Sequence, residues 1–159
     1  MLLAVFSDTH GCTAPMRRAV LAHAPDAVLH LGDCARDADV LRGAFPALDV
    51  RGVRGNCDFG GAAPDKLLFE LAGVSVFMTH GHLYGVKYGL DSLLNAAGFT
   101  GAKLVLYGHT HLADYQEQGG VILLNPGSAG TGARPSFALV RLENGTAACK
   151  ILDIPGGYL

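Results

Sequence analysis

Residues 2–11, Leu2-Leu3-Ala4-Val5-Phe6-Ser7-Asp8-Thr9-His10-Gly11, carry the pattern that decides the fold. The apolar run Leu2 to Phe6 reads as a buried strand, and Ser7 to Gly11 end it in a turn at its carboxyl edge. Thr13 and Pro15 then mark a helix start, followed by Met16, Ala19, Val20 and His23 at helical spacing. Strand, polar exit and helix form one unit of an α/β sheet, whose hydrophobic strands deliver polar residues at their ends.

The unit recurs along the chain. A strand over 27–31 exits at Gly32-Asp33, and a helix over 37–45 follows, with Val40, Leu41 and Ala44 inward. A third strand over 48–53 exits at Arg54-Gly55-Asn56-Cys57-Asp58, so Asp8, Asp33 and Asn56 are expected from adjacent strand ends. After a loop at 60–64 the pattern predicts a hairpin of 66–71 and 74–78, then a helix over 87–97 burying Leu90, Leu93, Leu94 and Ala97. A strand over 103–107 and hairpins at 113–118/121–124 and 136–142/146–154 complete the chain. Two more strand exits carry histidine: Thr79-His80-Gly81-His82 and Gly108-His109-Thr110-His111. Parallel units in front and hairpins behind predict two packed sheets covered by helices, in a single domain over residues 1–159.

Composition bounds the function. At 159 residues, with 50% hydrophobic and 16% charged, the chain is expected to bury a substantial core. A formal charge of −2 gives no electrostatic reason for nucleic acid or an anionic membrane as a partner. The apolar start has no basic lead and is interrupted by Asp8, so the expectation is a soluble, cytoplasmic protein. Cys12, Cys34, Cys57 and Cys149 form no CxxC pair and read as small buried residues in a reduced compartment, without a disulfide.

The polar exits read as one divided metal site. Residues two apart on an extended segment face the same way, so Asp8 and His10 can converge on one ion. Mixed oxygen and nitrogen donors suit Mn, Fe, Zn or Co better than calcium. Asp33 has two oxygens with which to bridge, Asn56 adds a neutral carbonyl, and His80, His109 and His111 complete the supply. One ion would take Asp8, His10, Asp33 and a histidine, and the other Asp33, Asn56 and two histidines. Two ions roughly 3.5 to 4 Å apart suit in-line displacement at a phosphoryl group.

Through DxH, GD, GN(C)D, HGH and GHTH, in that order from Asp8 to His111, the chain resembles the calcineurin-like metallophosphoesterase superfamily. Gly55-Asn56-Cys57-Asp58, the run from Thr79 to His82 leading into Val86-Lys87-Tyr88-Gly89-Leu90, and Asn125-Pro126-Gly127-Ser128 point to its small single-domain phosphodiesterase branch. The resemblance implies a four-layer αββα sandwich of two mixed β-sheets flanked by helices. It implies a phosphodiesterase with two divalent ions, manganese first and Fe, Zn, Ni or Co as alternatives, working through a metal-bridging hydroxide on a small phosphoester. His111 would join Asp8 and His10 on one ion, and His80 and His109 would join Asn56 on the other. Asn56, Asp33 and His80 would act through metal and substrate positioning, with Asp58 and His82 as supports and Asn125 to Ser128 as a supporting loop. A homodimer is also in keeping with the resemblance.

One departure stands out. Many superfamily members have histidine after the asparagine, where this chain has Cys57 followed by Asp58. A thiol with an ordinary pKa of about 8.5 is a poorer proton donor there than an imidazolium, so phenolic leaving groups should fare better than alkoxides. His23 and His30 read as structural, and Arg36 and Arg134 as solvated surface. A scaffold related in fold, like the retromer subunit that binds partner proteins, is the alternative; it predicts degraded ligands, whereas here the set is intact.

Overall fold

Ten strands and three α-helices order the chain in the computed structural model, which describes residues 1–60 and 62–154. The strands are β1 (Leu2–Phe6), β2 (Ala27–His30), β3 (Asp49–Gly52), β4 (Lys66–Leu71), β5 (Val74–Thr79), β6 (Leu104–Leu106), β7 (Ala113–Gln118), β8 (Val121–Pro126), β9 (Ser136–Glu143) and β10 (Thr146–Asp153). The helices are α1 (Ala14–His23), α2 (Arg36–Ala44) and α3 (Asp91–Thr100). One sheet runs β10-β9-β1-β2-β3 and the other β4-β5-β6-β8-β7. In the first, β1, β2 and β3 are parallel; in the second, β5, β6 and β8 are parallel, and antiparallel hairpins flank both sets.

Alternation along the strands divides the apolar residues among three cores. Leu3, Val5 and Leu29 from one sheet meet Val76, Met78, Leu106 and Leu124 from the other in the central layer. Ala4, Phe6 and Val28 face outward, against Met16, Ala19 and Val20 of α1 and Leu41 of α2. Phe77, Val105 and Leu123 pack on Leu93 and Ala97 of α3. The result is the αββα sandwich of two mixed sheets, and because each parallel set has both faces covered, its inner strands are almost uniformly apolar, while the edge strand β3 carries Asp49 and Arg51. Among the described residues no helix is long and apolar enough to cross a membrane.

Two helices differ from the sequence reading. The buried residues of α2 are Asp37, Ala38 and Leu41, while Val40 and Ala44 are exposed. The buried Asp37 carboxylate accepts hydrogen bonds from Thr9 and Gly11, and so turns the helix away from its most apolar face. The helix expected from residue 87 begins at Asp91, because His82–Tyr84 form a 3-10 turn closed by Gly85 at φ 62° and Gly89 takes φ 154°. Leu93 and Ala97 are buried in α3 as expected, whereas Leu90 and Leu94 are only partly covered.

Candidate metal centre

The carboxyl ends of the two parallel sets meet, and the polar exits gather there. Asp8, His10, Asp33, His109 and His111 all have positive φ, between 47° and 70°. Left-handed backbone costs a non-glycine residue roughly 1 to 2 kcal/mol, so such turns persist only where their surroundings hold them. Here the Asp8 N–H donates to Gly32 O at 3.0 Å, Ser128 Oγ donates to Asp8 O at 2.8 Å, and the Gly108 N–H donates to His80 O at 3.0 Å. Buried Asn125 fastens the second histidine loop: its Nδ2 donates to Gly108 O at 3.1 Å and Thr110 Oγ1 at 3.0 Å. Asp58 joins two loops, accepting from the backbone N–H groups of Asp33 (3.1 Å), Ala35 (2.8 Å) and Gly55 (2.8 Å).

Asp8, His10, Asp33 and His111 bring ligand atoms within 4.8 Å of one another. Their donor chemistry fits a cation. Asp8 Oδ2 accepts from Ser7 Oγ at 2.5 Å and from the His109 N–H at 3.2 Å, but buried Asp8 Oδ1 has no hydrogen-bond partner. It lies 3.1 Å from His111 Nε2 and 3.9 Å from His80 Nε2. His80 Nδ1 lies 2.8 Å from Leu31 O, which can only accept, so Nδ1 carries a proton and Nε2 is the nitrogen that could meet a metal. Nε2 faces Asn56 Oδ1 at 3.1 Å and Asp33 Oδ1 at 3.5 Å. Carboxylate, amide and imidazole atoms converging beside a buried, unpaired carboxylate oxygen are a donor set that fits a divalent ion.

His80 thus stands between Asp33 and Asn56. The His109 ring is 5.1 Å from that of His80, and His82 lies 5.4 Å from His80 and 6.1 Å from His109, ring to ring. His82 Nδ1 is buried and unpartnered. Burial, with His80 and Lys87 nearby, holds the His109 pKa down at about 4, leaving its nitrogen lone pair free at neutral pH. Burial works against ionisation of Asp33, yet the Cys57 N–H at 2.9 Å and neighbouring His80 keep its pKa below the ordinary value.

Cys57 is exposed, and the other three cysteines are only partly covered, so the expectation of small buried thiols is corrected; all four are free. Desolvation, and then the Asp33 carboxylate, push the Cys57 thiol up. A cavity of about 520 Å³ opens beside it, with Cys34, Arg36, Asp58, Phe59 and Pro64 in its walls. Arg36 is exposed, and Arg134 pairs with Asp153 at 3.1 Å. Sequence reasoning missed Ser7, Thr9 and Asp37, whose hydroxyls and carboxylate lie buried around the Asp8–His10 turn. Their only signal was proximity to the DxH and GD motifs.

The calcineurin-like phosphoesterase superfamily domain matches residues 1–145, and the chain belongs to that family. It is 32% identical over 165 residues to the probable metallophosphoesterase YsnB of Bacillus subtilis, covering all of this chain and 95% of that one. It is 35% identical over 89 residues to the phosphodiesterase YfcE of Escherichia coli, covering 50% of this chain and 44% of that one. Its fold is similar to that of Vps29 complexed with Zn²⁺ from Entamoeba histolytica, with a TM-score of 0.78 at 22% identity, covering 96% and 99% of the two chains.

Proposed function

We propose that this chain is a dinuclear metal-dependent phosphoesterase, and foremost a phosphodiesterase, acting as one domain. The observation that carries the reading is the unpaired, buried Asp8 Oδ1 beside His111 Nε2 and His80 Nε2, with Asn56 Oδ1 and Asp33 Oδ1 on the same His80 nitrogen. Asp8, His10, Asp33 and His111 would hold one ion; Asn56, His80 and His109 would hold the other, with Asp33 between them. Manganese is the first candidate by the family resemblance, and the oxygen and nitrogen donors would equally accept Fe, Zn, Ni or Co. Two such ions, when bound, would supply Lewis acidity at the phosphoryl oxygens and activate a water for in-line attack at phosphorus. The chain's own part is to present these donors at fixed spacing and, through neutral Asn56, to keep the site electrophilic. The cavity beside Cys57 and Phe59, reached through the residues that follow Asp33 and Asn56, would give room to one ester arm of the substrate.

A protein-binding scaffold is the second reading. It is favoured by the exposure of Phe59 (93%) and Tyr88 (98%) on loops adjoining the site, and by the likeness in fold to Vps29. Metal analysis of the purified protein, joined to a phosphodiester screen with Mn²⁺, separates the two. The enzyme reading expects bound metal and Mn²⁺-stimulated hydrolysis that Asp33→Asn abolishes; bound metal without hydrolysis of any diester would favour the scaffold.

A further inference from the structure

Behind the candidate metal cluster lies a second polar group, formed by Thr9, His30 and Asp37, each no more than 3% exposed. Thr9 sits between Asp8 and His10, His30 ends β2, and Asp37 lies in the first turn of α2. Their protons can be assigned from geometry alone. Asp37 Oδ2 is an acceptor, so the Thr9 hydroxyl donates to it at 2.7 Å. Thr9 Oγ1 must then accept from His30 Nε2 at 2.8 Å, which places the imidazole proton on Nε2. His30 Nδ1 keeps its lone pair, and the Gly32 N–H donates to it at 3.3 Å. Asp37 Oδ2 also accepts the Gly11 N–H at 2.9 Å.

Every polar atom of the His30 ring is therefore used, and each is used on a different loop. One nitrogen reaches the side chain between Asp8 and His10; the other reaches the N–H of Gly32, the residue immediately before Asp33. An apolar residue would fill this strand position at less desolvation cost. We propose that His30, acting through Thr9 and Asp37, is a positioning residue that sets the spacing between the Asp8–His10 loop and the Asp33 loop, and thereby the affinity of the cluster for a divalent ion. The strained φ values of Asp8 (53°) and His10 (47°) show why the turn needs such a brace. The inference rests on the metal-binding part of the proposed function.

Mn²⁺ binding to EDTA-stripped protein, measured by titration calorimetry, tests it alongside the thermal melt of each metal-free variant. His30→Phe, which keeps a ring and loses both bonds, and Thr9→Val, which exchanges a hydroxyl for a methyl, should each weaken Mn²⁺ binding by about 10- to 100-fold. Thr9→Ser, which keeps the hydroxyl, should restore the parent affinity. A residue that serves stability alone would lower the melt and leave the Kd of the folded protein unchanged. Folded variants that bind Mn²⁺ like the parent overturn the proposal, and Thr9→Val decides if His30→Phe does not fold. Nitrogen-15 NMR of the unaltered metal-free protein gives a further check, and a His30 proton found on Nδ1 would also overturn it. A parent that binds no Mn²⁺ would instead sink the metal reading on which the proposal stands.

Discussion

On the proposed phosphodiesterase reading, Cys57 is the residue on which substrate preference would turn. Its thiol lies at the surface, with Asn56 Nδ2 3.4 Å from the sulfur, and desolvation together with Asp33 makes it a weaker acid than a free cysteine. On that reading, a leaving oxygen beside it would depart with little proton assistance. In a series of methyl aryl and methyl alkyl phosphodiesters assayed with Mn²⁺, rates should therefore fall steeply as the leaving group becomes more basic. Cys57→His should flatten that dependence and raise the alkyl rates by about 100-fold or more, within the ordinary range of general acid catalysis. Equal rates across the series in the parent would remove this role for Cys57.

At the scale of the element, the loops that carry the candidate ligands are set by how closely their backbones approach. A Cβ on Gly32, at φ +99°, would sit 2.6 Å from the Gly55 nitrogen and 2.9 Å from the Arg54 carbonyl carbon. Neither contact has a flexible side chain that could yield. Gly32→Ala should thus cost roughly 2 to 4 kcal/mol, seen as a fall in Tm of about 5 to 15 °C. Gly43→Ala in α2, where a Cβ meets nothing within 4 Å, is the control and should leave Tm unchanged or raise it slightly. Equal melts for the two variants would show that the 32–33 and 54–55 loops separate freely. Helix α2 also shows where periodicity misleads: counting apolar residues turns Val40 inward, but the hydrogen bonds of Asp37 decide the face.

For the whole molecule, the buried His30 makes metal-free stability depend on pH. Burial pushes its pKa down from 6.5 to about 4 in the folded protein, although Asp37 and Asp58 pull the other way. Between those values the unfolded chain binds a proton that the folded one refuses, so stability is present above pH 6.5 and is lost as pH falls towards 4. The loss amounts to about 3 kcal/mol from this group. Denaturant titrations in EDTA should show that decline, and His30→Phe should make it shallower even if it starts from a lower stability. An identical slope in parent and variant would mean that His30 already titrates near its ordinary value when folded.

The sequence by itself determined the strand order of events: apolar runs ending in DxH, GD, GN, HGH and GHTH, the glycine turns of the hairpins, and hence the αββα class and the candidate ligands. Those features are local, because a strand's apolarity and a ligand motif lie within a few neighbouring residues. Tertiary structure alone decided which donors face one another, leaving Asp8 Oδ1 unpaired between His111 and His80. It also decided that Thr9 bonds His30 and Asp37, positions 21 and 28 residues further along the chain. No periodicity links such residues; packing β1, β2 and α2 together excludes water from their polar atoms, and each must then find its partner within the protein.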